Sequence, residues 1–154
     1  MADLEAFRAE TRAWLEANAP RRDSGSQEHG VLSLFRSAPE DLAEARAWQA
    51  RKADAGWAGL TWPVDYGGRG APPMHQVIFN QEVAPFDVHE VIFAIGVLMA
   101  GPTLIAHATP EQQQRWLPPL RRGEEIWCQL FSEPDAGSDL ASLRTAAVPD
   151  GDEW

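Results

Sequence analysis

Residues 91–106 form a run of 16 without a charged side chain, broken only by Gly96, Gly101 and Pro102. A membrane-spanning helix needs roughly 20 apolar residues, so this run is too short to cross a bilayer. It reads instead as a buried helix over residues 88–108, apolar on nearly all sides. A helix of that kind has to be covered by neighbours, which places it at the centre of a helical domain.

The neighbours are legible on either side. Asp3 is a candidate N-cap, and Leu4, Phe7, Thr11, Trp14 and Leu15 follow at helical spacing until Pro20. Ser37-Ala38-Pro39-Glu40 has the capping-box pattern, and the helix it opens carries Leu42, Ala45, Trp48 and Ala55 before Gly56 as C-cap. Residues 74–83 read as a third helix. Thr109-Pro110-Glu111-Gln112 opens a fifth, with a Thr cap, Pro at the first helical position and Gln at the capping-box position. That helix is expected to stop near Trp116, because Pro118 and Pro119 lack the N–H groups that would continue it. Residues 21–30 read as a polar loop. The connection over 56–73 is rich in Gly and Pro yet holds Trp57, Trp62 and Tyr66, so it is expected to pack down onto the helices.

The net charge of −10 argues against a nucleic-acid or anionic-membrane partner, since both demand clustered Lys and Arg. It leaves room for an anionic small ligand held by backbone N–H groups. The single cysteine, Cys128, excludes an intrachain disulfide and a multi-cysteine metal site. The amino-terminal residues lack the apolar core of a signal peptide, so a cytoplasmic location is expected. The four histidines, His29, His75, His89 and His107, follow no ligand spacing, and no metal is expected.

The character changes at Gly123. Residues 126–131 read as a strand, and residues 144–148 as another, followed by the turn Pro149-Asp150-Gly151-Asp152. Only Glu153 and Trp154 lie beyond that turn, too few for a returning strand, so the chain is expected to end inside a β-element. The fold class is therefore mainly α: a helical domain over residues 1–122, then the first strands of a truncated β-domain over 123–154. Between the two strands, Ser132 offers a hydroxyl at a strand end. Gly137 has the freedom to take positive φ and admit a ligand near the backbone, and Ser138 opens a helical turn whose N–H groups could face an anion. A flat strand platform beside an anion site suits a dinucleotide. The plainer reading, Ser138 as an ordinary N-cap and Gly137 as a turn residue, stays open on these residues alone.

The stretch Gln129-Leu130-Phe131-Ser132-Glu133-Pro134-Asp135-Ala136-Gly137-Ser138-Asp139-Leu140 resembles the flavin-binding signature of acyl-CoA dehydrogenases. Trp57-Ala58-Gly59-Leu60-Thr61-Trp62-Pro63 through Gly68, and Thr109 through Pro118, resemble two further segments of that family, in the family's order. The resemblance covers the whole chain, which is less than half of a family subunit. One departure is Asp135, where the family commonly has Gly; it is expected to point outward.

The resemblance implies FAD as cofactor, with Gln129, Phe131 and Ser132 around the isoalloxazine ring and Gly137 and Ser138 at the pyrophosphate. Ser138 would also approach the acyl-CoA, and Phe93, Val97 and Leu98 would wall the acyl pocket, although they read equally well as plain core. It implies α,β-dehydrogenation of an acyl-CoA thioester in lipid metabolism such as fatty-acid β-oxidation. Electrons would pass to an electron-transfer flavoprotein, and the subunits would form homodimers or tetramers. It places the catalytic carboxylate in a C-terminal helical domain, so no catalytic residue is expected in this chain and the chain alone is expected to be inactive. The alternatives are a non-catalytic helical assembly module of the same fold, and an acyl-CoA oxidase or nitroalkane-oxidase-like flavoenzyme. Glu82 and Asp87 read as surface carboxylates, Glu133 as a non-base beside the flavin, and Cys128 as an inert thiol buried with Ile126 and Leu130.

Overall fold

The computed structural model describes residues 2–22 and 39–152. The capping box expected at Ser37 and most of the loop expected at 21–30 lie outside them. Among the described residues there are five α-helices: α1 (Ala2–Asn18), α2 (Pro39–Asp54), α3 (Pro73–Val83), α4 (Gly101–His107) and α5 (Pro110–Arg122).

In α1, Phe7, Thr11 and Leu15 are buried, as their spacing predicts, and this face packs against α3. Across that seam Glu82 accepts from Arg8 at 2.5 Å and from Arg12 Nε at 2.9 Å. Its side chain is only 11 % exposed. Glu82 is thus an inter-helix clasp, where the sequence suggested a surface carboxylate. The signal was its place on the α1-facing side of α3, which a linear reading does not show. Trp14, Trp48, Trp57 and Phe79 form a chain of ring contacts 5.4–5.7 Å apart through the first core. The Gly- and Pro-rich connection does pack down. Trp57, Leu60 and Trp62 are each 3 % exposed or less, and Arg69 lies 4.0 Å above the Trp57 ring.

The expected fourth helix is a composite. A 3-10 turn (Val91–Phe93) leads into a π-turn (Gly96–Ala100) and then α4. It is also one-sided. Phe93, Gly96, Val97 and Gly101 are buried, while Val91, Leu98 and Met99 are 42–51 % exposed. It therefore lies at the edge of the helical layer rather than at its centre. The π-turn has a chemical cause. Gly101 N–H donates to the Gly96 carbonyl, one residue further back than in an α-helix. In that register the Val97 carbonyl would look to residue 102, which is proline and has no N–H. The Trp62 indole Nε1 supplies the missing donor at 3.0 Å.

The capping box of α5 forms as expected. Gln112 N donates to Thr109 Oγ1, and Thr109 N to Gln112 Oε1. The helix does not stop at Trp116, however; it runs through Pro118 and Pro119 to Arg122. The prolines deprive only the carbonyls of Gln114 and Arg115, both exposed residues whose carbonyls water can serve. Buried Leu117 and Leu120 anchor the far turn, and Gly123 closes it at φ 74°. Gln49 Nε2 and Arg121 Nη1 then tie the helix end to α2, through the Arg121 and Ala53 carbonyls.

Beyond Gly123 neither expected strand is paired among the described residues. Between described residues the isolated bridges are Arg21 with Phe86, in the helical part, and Glu133 with Ala136. Strand geometry needs a partner ladder, and no segment among the described residues lies alongside 126–131 or 144–148 to provide one. Cys128 is consequently exposed, with Ile126 and Leu130 at 41 % and 89 %, and is not the buried thiol that alternation suggested.

Candidate functional site

Two features carry possible chemistry. The first is a cavity of about 290 Å³ between α2, α3 and the composite helix. Phe93, Val97 and Leu98, singled out in the sequence, all line it. Phe93 and Val97 are 3 % and 7 % exposed and form its wall, whereas Leu98 at 51 % stands at its mouth. Their depth depends on Trp62, which pins the Val97 carbonyl, and on Gly101, where a Cβ would lie 2.0 Å from the Trp62 ring.

The same cavity holds polar residues that the sequence reading passed over. Gln49 and Lys52 enter it from α2, and Glu90 from the position just before the composite helix. Lys52 Nζ donates to Glu90 Oε2 at 2.6 Å, and Trp48 Nε1 to Glu90 Oε1 at 2.6 Å. Lys52 is 5 % exposed. The available signal was the stripe Ala45, Trp48, Gln49, Lys52 on one face of α2: a lysine on an apolar stripe is rare unless it is paired.

The second feature is the segment 126–138. Gln129, Phe131, Ser132, Gly137 and Ser138 are all exposed, Phe131 by 58 %. Among the described residues no hydrogen bond engages the backbone of residues 126–132. The loop after it closes on itself: Glu133 N donates to the Ala136 carbonyl at 2.8 Å and Ala136 N to that of Glu133 at 3.1 Å. The turn is therefore complete before Gly137, which does not take positive φ and has open space where a Cβ would stand. Nor is Ser138 the N-cap of the turn that follows. The 3-10 turn Leu140–Ser142 is preceded by Asp139, whose carbonyl accepts from Ser142 N and Oγ. Asp135 is exposed, as expected. The donor and acceptor set still suits a flavin: free backbone groups and a hydroxyl along one extended segment for a ring edge, and a second hydroxyl beyond an open glycine.

Glu133 is engaged elsewhere. Its carboxylate accepts from Thr145 Oγ1, from Thr145 N at 2.7 Å and from Arg144 N at 3.0 Å. The Thr145 hydroxyl bond, then the two backbone donors, hold it below the usual carboxylate range. A carboxylate so stabilised is a poor proton acceptor.

The family model for the acyl-CoA dehydrogenase N-terminal domain matches residues 1–124. The acyl-CoA dehydrogenase IpdE1 of Mycobacterium tuberculosis is 45 % identical over 154 residues, 100 % of this chain and 39 % of that protein. Among solved structures, the Tcur3481-Tcur3483 steroid ACAD superposes with a TM-score of 0.70 at 31 % identity, over 99 % of this chain and 37 % of that one. The ChsE4-ChsE5 complex from Mycobacterium tuberculosis gives 0.67 at 33 %, over 99 % and 36 %. This chain belongs to the acyl-CoA dehydrogenase family, with the fold of its N-terminal domain. It spans about 39 % of the length of the curated relative it matches over its whole length. No described helix is long and apolar enough to cross a membrane.

Proposed function

We propose that this chain supplies the acyl-pocket wall and part of the flavin platform of an FAD-dependent acyl-CoA dehydrogenase. That enzyme would convert an acyl-CoA thioester to the 2-enoyl-CoA. The observation that carries the reading is the cavity that gathers Phe93, Val97 and Leu98, in a chain that matches the acyl-CoA dehydrogenase N-terminal domain.

Bound FAD would take the hydride that leaves the β-carbon as a carboxylate outside this chain removes the α-proton. The chain's own residues orient and exclude water. Phe93 and Val97 hold the acyl group away from solvent, so that its α- and β-carbons stay in one place. Gln129, Phe131 and Ser132 offer backbone groups and a hydroxyl to the ring. Gly137 and Ser138 offer an unobstructed backbone and a second hydroxyl to the pyrophosphate, and Ser138 also serves the acyl-CoA. An electron-transfer flavoprotein would be the partner that takes up the electrons. Two of the structural neighbours pair two proteins, Tcur3481 with Tcur3483 and ChsE4 with ChsE5, which supports subunit association, here as a dimer or tetramer.

The test is anaerobic mixing of the flavin-loaded enzyme containing this chain with saturated acyl-CoA thioesters. Loss of flavin absorbance with formation of 2-enoyl-CoA is expected. An enzyme that carries flavin and is reduced by no acyl-CoA contradicts the proposal.

A further inference from the structure

The cavity has an apolar wall, from Trp57, Phe79, Phe93 and Val97, and a polar end from Gln49, Lys52 and Glu90. Gln49 and Lys52 stand three residues apart and so share one face of α2. They are 1 % and 5 % exposed. An ammonium has three N–H donors. Lys52 gives one to Glu90 and faces the rings of Trp48 and Phe79 at 5.8 and 6.0 Å. It has no other oxygen partner among the described residues, so donors remain. Gln49 is the reverse case. Its Nε2 donates to the Arg121 carbonyl at 2.7 Å, which fixes the amide's orientation, and its Oε1 is buried without a hydrogen-bond partner. A buried acceptor left unpaired is costly.

The polar end thus has surplus donors and a surplus acceptor, and Lys52 and Glu90 cancel in charge. A carboxylate there would meet the Gln49 oxygen and the Glu90 carboxylate. A ketone would use the donors and leave Gln49 unpaired. A hydroxyl uses both. Resting on the acyl-thioester reading of this cavity, we infer that it takes an acyl group whose far end carries a hydroxyl. The hydroxyl oxygen accepts from Lys52 Nζ, and its hydrogen is donated to Gln49 Oε1.

The experiment is a titration of the 154-residue chain by tryptophan fluorescence, Trp57 being in the cavity wall. The probes are two pantetheine thioesters, 3-cyclohexylpropanoyl and 3-(4-hydroxycyclohexyl)propanoyl. The hydroxylated probe is expected to bind about tenfold more tightly to the unmodified chain, the worth of one charge-assisted hydrogen bond. Gln49→Met and Lys52→Met are each expected to bring the affinities for the two probes together. Equal binding of both probes by the unmodified chain overturns the inference and leaves the acyl reading standing. Binding of neither overturns both. A preference that survives both substitutions overturns the assignment to Gln49 and Lys52.

Discussion

The Trp62 indole N–H donates to the Val97 carbonyl at 3.0 Å, across a π-turn whose own register assigns that carbonyl to Pro102. A side chain from the Gly- and Pro-rich connection therefore completes the backbone of the helix that walls the cavity. Trp62→Phe removes the donor and strands a buried acceptor, which costs about 1–3 kcal/mol. Pro102→Ala restores an N–H to the helix, so Trp62→Phe is expected to cost less in that background. Urea denaturation of the four proteins measures the coupling. Equal cost in both backgrounds would show that Trp62 acts by packing alone. Gly101→Ala, which drives a methyl into the Trp62 ring, is expected to destabilise by about 1–3 kcal/mol in the same assay.

The clasp at Glu82 sets an acid limit. The Arg12 hydrogen bond, opposed by burial and reinforced by Arg8, holds Glu82 below its ordinary value of 4.5. A carboxylate with a depressed folded pKa contributes its stability above the unfolded pKa and loses it as pH falls through the folded one. The difference in stability between the unmodified chain and Glu82→Gln is therefore expected to be full at pH 7 and to shrink below about 4.5. A difference that stays constant from pH 7 to pH 3, by denaturant titration, would remove the clasp from the account.

Glu133 joins the turn over 133–136 to the backbone at Arg144 and Thr145. Glu133→Gln keeps the shape and weakens both N–H contacts. Amide hydrogen exchange at Arg144 and Thr145 is expected to accelerate, with exchange in α1 and α3 unchanged. Unchanged exchange at both amides would mean that the carboxylate does not order this stretch.

The 154 residues mixed anaerobically with FAD and several acyl-CoAs are expected to leave flavin absorbance intact. Glu133, the carboxylate nearest the proposed ring-facing residues in sequence, is committed to Thr145 and Arg144. Substrate-dependent bleaching would require a base within this chain, and Glu133→Gln would show whether it is that residue.

What the sequence made legible was local. The α1 face, the cap at Thr109 and the buried aromatics of the connection all follow from spacing and side-chain chemistry, and they form. What it hid was cooperative. Nothing in residues 91–106 alone announces a π-turn, because its cause includes a donor about 35 residues upstream, in the Trp62 side chain. Pro118 and Pro119 look like a stop until Leu117, Leu120 and the ties from Gln49 and Arg121 hold the turn beyond them. The segments 126–131 and 144–148 have strand composition but lack a ladder, so alternation predicted burial for Cys128 that does not occur. At the site, the apolar lining was found through the family resemblance. The Lys52–Glu90 pair was missed because its partners are 38 residues apart.

The most direct measurement of the central claim is the acyl-CoA concentration that half-reduces the flavin-loaded enzyme, compared with Leu98→Trp and Val97→Phe. Leu98 is half exposed at the cavity mouth, so a larger ring there spares the core. Both changes narrow the cavity without touching residues 129–138. The account predicts at least about a tenfold rise in that concentration, the equivalent of roughly 1.4 kcal/mol of lost binding, with flavin content unchanged. An unchanged half-reduction concentration in both variants would contradict the claim that this chain's helical domain holds the acyl group.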